Sequence, residues 1–286
     1  MGTYKIFIDT GADMPEEMAK KNGFGVIRFL SVFGEKSYVT GTELSNEEFY
    51  KKLAESDAIP TTSQTPYADF CDQLKEASDN YDTVIYFVLS SNASGQYNTA
   101  CMIRNEILEE NPAADIRLFD TGTFSIYISA TALYAKELLD GGMAIDEVLQ
   151  KCREYIESWQ CYILVDTLKY LEKGGRITKT SAIVGSLLDI KPVLTVKNGL
   201  IEPVEKLRGS KKLFKKLLGL IRENPDLDDE KCEFMVAHSN DDYGQEMKAL
   251  IKEEFGVEVK NYFELGPIIG THIGPGTLGV LFRLKK

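Results

Sequence analysis

Thr83-Val84-Ile85-Tyr86-Phe87-Val88-Leu89 is an apolar run opened by a threonine, and Ser90-Ser91-Asn92-Ala93-Ser94-Gly95-Gln96-Tyr97 follows it without a gap. A short run with branched and aromatic residues and no polar alternation reads as a strand covered on both faces. The segment 95–110 behind it has helical spacing. Towards the N-terminus, 5–8 and 25–33 read as strands, and 15–22 and 46–56 as helices. Pro15 suits a first helical turn, and Ser45 or Asn46 suits a cap. Towards the C-terminus, a strand at 116–119 precedes helices at 125–139 and 145–159. Strand and helix in alternation predict a mostly parallel sheet flanked by helices, with right-handed crossovers. Ligands of such sheets gather at the carboxyl ends of the strands.

The second half is less regular. Residues 162–165 read as a strand, and 168–173 as a short helix stopped by Gly174-Gly175. Lys197-Asn198-Gly199 is a hairpin signal between strands at 192–196 and 200–206. Helices at 210–222 and 242–255 and strands at 233–237, 257–263 and 279–284 complete a mixed set. The expected fold is α/β in two lobes. The N-terminal lobe spans 1–162 with a mostly parallel sheet; the C-terminal lobe spans 163–286 with a mixed or antiparallel sheet and helices.

With 286 residues, 43% hydrophobic and 27% charged, the chain is long enough to bury a sizeable core. Its net charge of -11 argues against nucleic acid and against an anionic membrane surface. Asp9, Asp13, Glu16 and Glu17 interrupt any apolar leader, and no run has the length of a membrane span. Cys71, Cys101, Cys152, Cys161 and Cys232 are scattered, odd in number and without a Cys-x-x-Cys pair. They read as thiols in a reducing compartment, with no metal site expected and a cytoplasmic location.

Three polar loops stand out. In the first, Pro60-Thr61-Thr62-Ser63-Gln64-Thr65-Pro66, a hydroxyl serves either as a helix cap or as a ligand donor. In the second, Ser94 and Gly95 open a helix, so Ser94 is either a plain cap or part of an anion site. The Lys of a phosphate-binding loop is absent, so a singly charged carboxylate suits it better than a triphosphate. The third, 266–277, holds four glycines, two prolines and His272, one of only two histidines. His272 is either a satisfied structural residue or a functional one held by a rigid loop. Asp9 and Asp13 are candidates to meet it in space, but no nucleophile–base set emerges from local spacing. Phe29, Leu30, Ile126, Leu187, Leu188, Ile268 and Ile269 suit equally a ligand tunnel or a plain core.

Six motifs in this order resemble the DegV family across essentially the whole chain. They are Thr62-Ser63-Gln64, Leu89 to Tyr97, Asp120-Thr121, Leu168-Lys169-Tyr170-Leu171 with Gly174-Gly175-Arg176-Ile177, Ile190-Lys191-Pro192, and Gly270-Thr271-His272 with Gly274-Pro275-Gly276. Gln96 stands where the family pattern has Thr, and Asp9-Thr10 departs from its usual Asp-Ser opening. The resemblance implies one long-chain fatty acid in a buried tunnel between two lobes, with no cofactor and no catalysis by the chain itself. It implies a carboxylate held by Thr62 and Ser94 beside Gly95, with Thr271 and His272 nearby. In some members the bound acid is presented to a separate ATP-dependent fatty acid kinase. Arg176, on a loop expected to be exposed, is then either a solvated charge or a docking contact for that partner. The fold also resembles the binding subunit of dihydroxyacetone kinases, where a histidine holds the substrate. A stand-alone phosphoryl- or acyl-transfer enzyme is therefore the alternative.

Overall fold

The computed structural model describes residues 2–56, 58–177, 190–208 and 212–285. Its first part contains β1 (Tyr4–Asp9), α1 (Glu16–Lys21), β2 (Gly25–Ile27), β3 (Leu30–Phe33), β4 (Lys36–Val39), α2 (Asn46–Glu55) and β5 (Thr61–Ser63). It continues with α3 (Tyr67–Asn80), β6 (Thr83–Val88), α4 (Gln96–Glu110), β7 (Ile116–Asp120), α5 (Ile126–Asp140) and α6 (Ile145–Glu157). The second part contains β8 (Trp159–Leu164), α7 (Lys169–Gly174), β9 (Ile190–Lys197), β10 (Leu200–Arg208) and α8 (Leu213–Arg222). It ends with β11 (Phe234–His238), α9 (Asp241–Phe255), β12 (Val259–Glu264), α10 (Pro267–Ile273) and β13 (Leu278–Arg283).

β6 is buried at every position and lies inside a parallel sheet ordered β2-β1-β6-β7. The chain order reverses between β1 and β6, which makes their carboxyl ends a topological switch point. The loops 10–13 and 89–95 leave the sheet there. A six-stranded sheet, β10-β9-β8-β13-β11-β12, is antiparallel except for its β11–β12 pair. The mixed α/β architecture matches the expectation from sequence. β8 runs through the lobe boundary placed at 162/163 and belongs wholly to this second sheet.

α5 binds the two sheets together. Ile126, Tyr127, Ile128, Ala130, Ala132, Ala135 and Leu139 are buried around most of its circumference, and the helix reaches solvent at Glu137 and Asp140 near its end. They share one apolar cluster with Ile6, Ile8 and Phe87 of the parallel sheet and with Cys161, Ile163, Ala237 and Leu281 of the other.

Two elements differ from the sequence reading. The single strand expected at 25–33 is two strands in different sheets, β2 and β3. Between them, Phe29 N–H donates to Thr10 Oγ1 (3.0 Å) and Arg28 C=O accepts from Thr65 Oγ1 (2.8 Å), so side chains satisfy the backbone at the break. β3 then pairs with β4 and β5 in a small antiparallel sheet. The segment 266–277, read as irregular, contains α10, with Pro267 in its first turn and Gly274 ending it at φ 84°.

Candidate functional site

A cavity opens where the switch-point loops meet α10. Thr62 of β5, Ser94 before α4, Arg176 after α7 and His272 of α10 supply its polar wall. Phe29, Leu89, Phe124, Ile201, Ile268 and Ile269 supply most of the rest. The cavity brings together side chains more than two hundred positions apart: Thr62 Oγ1 lies 2.9 Å from His272 Nε2. Residue 62 does not cap a helix. β5 pairs with β3, placing Thr62 opposite Ser31, while Pro66 stands before α3 without a side-chain cap.

His272 is neutral at ordinary pH. Burial, reinforced by the Arg176 guanidinium, pushes its pKa down to about 4. Its Nδ1 is buried and, among the described residues, has no hydrogen-bond partner. Gly174 packs against that edge of the ring, where an added Cβ would come within 2.6 Å of Nδ1, so the helix end of α7 must be glycine for α10 to lie this close. Asp9 and Asp13 do not approach His272 through any hydrogen bond. Asp9 accepts from the Gly11 and Leu89 N–H groups, and Asp13 accepts from Ser125 Oγ and the Gly266 N–H.

Ser94 Oγ accepts from Gln96 N–H at 3.3 Å, and Ser90 C=O takes the Ala93 and Ser94 N–H groups at 3.0 Å. The loop before α4 is thus largely bonded to itself. Ser94 offers the cavity its own hydroxyl proton. Gly95 does not line the cavity; it lets Gln64 pack over the helix start, an added Cβ falling 2.7 Å from Gln64 Nε2. Thr271 is also turned away, its hydroxyl donating to Pro267 C=O at 2.7 Å.

Arg176 is not the open surface charge expected from its sequence context. It is half-buried in the cavity wall, donating from Nε to Ala93 C=O (3.1 Å) and from Nη1 to Gly174 C=O. Gly174-Gly175 stop α7, with Gly175 left-handed, and turn the chain so that Arg176 reaches back across to the loop before α4. Among the described residues it is the one charged side chain of this wall.

A second compartment, which shares Phe124, Ile269 and Ile273 with the first, lies between α5 and the six-stranded sheet. Cys161, Ile163, Val196, Ala237, Gly279 and Leu281 form its sheet side. Its three hydroxyl residues use their donors elsewhere, Ser125 on Asp13, Tyr127 on Trp159 C=O and Thr277 on Gly274 C=O. Of the wall candidates, Phe29, Ile268 and Ile269 line the first compartment and Ile126 the second. Leu30 lines neither, and Leu187 and Leu188 lie outside the described residues. Phe124, Ile201 and Ile273 carry no sequence signal that separates them from ordinary core.

Among the described residues no helix is long and apolar enough to cross a membrane, and no three potential metal ligands cluster. A fatty acid-binding protein of Thermotoga maritima is 33% identical over 284 residues, covering 96% of each chain. The crystal structure of DegV, a fatty acid binding protein from Bacillus subtilis, superposes with a TM-score of 0.85 at 29% identity, over the whole of both chains. A DegV-family structure from Ruminococcus gnavus with vaccenic acid superposes at 0.81 and 27% identity, covering 97% of this chain and 99% of that one. The family model described as uncharacterised protein, DegV family, matches residues 3–285, and the chain belongs to the DegV family.

Proposed function

We propose that this protein binds one long-chain fatty acid, its carboxylate at Thr62, Ser94 and Arg176 and its tail in the apolar compartment behind Ile269 and Ile273. The observation that carries the reading is the junction of two unlike compartments: a mouth with two hydroxyls and one cation, and a depth without an available polar group. An amphiphile with one small anionic end fits both. Each buried methylene contributes ~0.8 kcal/mol, so a sixteen-carbon tail gains on the order of 10 kcal/mol before ordering costs.

The head-group chemistry follows from the hydrogen bonds. With its proton on Nε2, the neutral His272 ring donates to Thr62 Oγ1 and frees the threonine proton for the ligand. Ser94 donates in the same way, and the Arg176 guanidinium supplies the charge that favours a carboxylate over an alcohol or ester. His272 is an orienting group here. Among the described residues no acceptor at Nδ1 holds the ring as the third member of a general-base set would, which weighs against the stand-alone transfer enzyme. Presentation to a separate kinase belongs to the same proposal: a partner that reaches the carboxylate meets Arg176 and His272 beside it.

Native mass spectrometry of the purified protein, followed by displacement of a fluorescent fatty acid, tests the reading. A co-purified acid of fatty acid mass and competition by free fatty acid are expected. No bound acid and no competition would overturn it.

A further inference from the structure

The floor of the deeper compartment is uneven. In the six-stranded sheet, one row across the strands runs Phe263, Ala237, Gly279, Ile163, Leu194. The next row on the same face holds Met235, Leu281 and Cys161. Bulky residues stand at both ends of the first row, and the two smallest side chains stand side by side at its centre, on β11 and β13.

Nothing in the backbone calls for glycine at 279. It is not among the positive-φ residues. An added Cβ would lie 3.7 Å from Ala237 C=O and from Cys161 Sγ, ordinary contact distance with no clash. Glycine in a strand interior forfeits packing and conformational entropy. Here the space left by the missing side chain is not filled by neighbours; it is part of the compartment, whose lining includes Gly279, Ala237 and Cys161 together.

Resting on the fatty acid reading, we propose that the depression over Ala237, Gly279 and Cys161 receives the methyl end of the acyl chain and sets the longest chain the protein accepts. Phe263 and Ile163 flank the depression in its row, and filling it shortens the space for the tail while leaving the head-group wall untouched.

The test is an affinity series for laurate, myristate, palmitate, stearate and arachidate with the full-length protein and three variants. Gly279→Val and Ala237→Val fill the depression from two strands, and each is expected to lower the stearate-to-myristate affinity ratio by about tenfold, the burial of two methylenes. Leu281→Ala enlarges the same floor and is expected to move the preference towards arachidate. Lost packing alone would weaken all lengths and move all three variants in one direction. Opposite shifts therefore support the proposal. A uniform loss along the series, or an unchanged length profile, overturns it while the fatty acid reading stands. Failure of the unaltered protein to bind any of the five acids overturns both.

Discussion

Two cavities touch α10, and they are electrostatic opposites. At Ile268, Ile269, His272 and Ile273 the helix faces the compartment with Arg176 and the neutral histidine. At Gly266 and Pro267 it borders a separate cavity walled by Asp9, Asp13, Glu16 and Glu264, with Arg28 already paired to Glu16 at 2.8 Å. A carboxylate is drawn to the first and repelled by the second. One short helix thus has a buried carboxyl group pinning its start and a cation beside its end, and the difference shows how a chain with a net charge of -11 can still offer an anion a place to bind.

The largest effect is expected in the acidic cavity. Burial, aided by Asp9 and Glu264 and opposed by the Ser125 and Gly266 hydrogen bonds, raises the Asp13 carboxyl to about 8; burial raises Asp9 to about 6. Both hold a proton more tightly folded than unfolded. Their contribution to stability is therefore complete below the ordinary carboxylate range and is lost as pH rises through about 6 and about 8. At ~1.4 kcal/mol per pKa unit, the loss between about pH 5 and about pH 9 amounts to a few kcal/mol. Asp13→Asn, tolerated at φ 54°, should flatten the upper part of that slope in urea unfolding. Equal slopes in the two proteins would remove Asp13 as the source.

On the opposite side, Arg176→Met should weaken fatty acid binding by about 2 kcal/mol, roughly thirtyfold, a figure reduced because the guanidinium is only half-buried. Binding of the matching fatty alcohol, which carries no charge, should change far less. Equal losses for acid and alcohol would make Arg176 a brace between Ala93 and Gly174 rather than the anion's partner. Thr62→Val should cost roughly 1–2 kcal/mol, because it removes a donor to the anion and strands His272 Nε2. Unchanged affinity in a displacement assay would take Thr62 out of the head-group site.

The smallest effect lies between the cavities. Gln96, at the motif position where the family pattern has Thr, points away from the head group. It is fully buried, with Nε2 3.4 Å from Tyr86 OH, which in turn lies 3.3 Å from Asp9 Oδ2. Among the described residues its Oε1 has no hydrogen-bond partner. Gln96→Thr should leave fatty acid affinity unchanged and shift stability by about 1 kcal/mol or less, because the loss of packed atoms offsets removal of an unsatisfied amide. A tenfold change in affinity would show that the chain Gln96–Tyr86–Asp9 couples the two cavities.

Much of this fold was legible because periodicity and punctuation are local. The all-apolar run ending at Leu89 marked the central strand, Ser45 with Glu48 forms a complete capping box, and Asn198-Gly199 turns the β9–β10 hairpin. Glycine and proline in 266–277 misled, because the same residues that break a helix also start and stop one; only the turns between Pro267 and Gly274 distinguish α10 from a loop. The break between β2 and β3 was hidden because β-forming residues run straight through it, and the groups that satisfy it, Thr10 and Thr65, are distant in sequence.

By itself the sequence determined which side chains with hydroxyl, imidazole and guanidinium chemistry exist, since that follows from residue type alone. Only the tertiary structure decided which of them share a wall. Thr62 meets His272 because β5 joins β3 and α10 packs beneath them; Thr271, one residue away, turns its hydroxyl into its own helix. Arg176 faces inward because two glycines end α7 and its guanidinium finds carbonyls on both sides. Direction of a side chain depends on helix phase and on partners from other elements, and neither is written in the residues beside it.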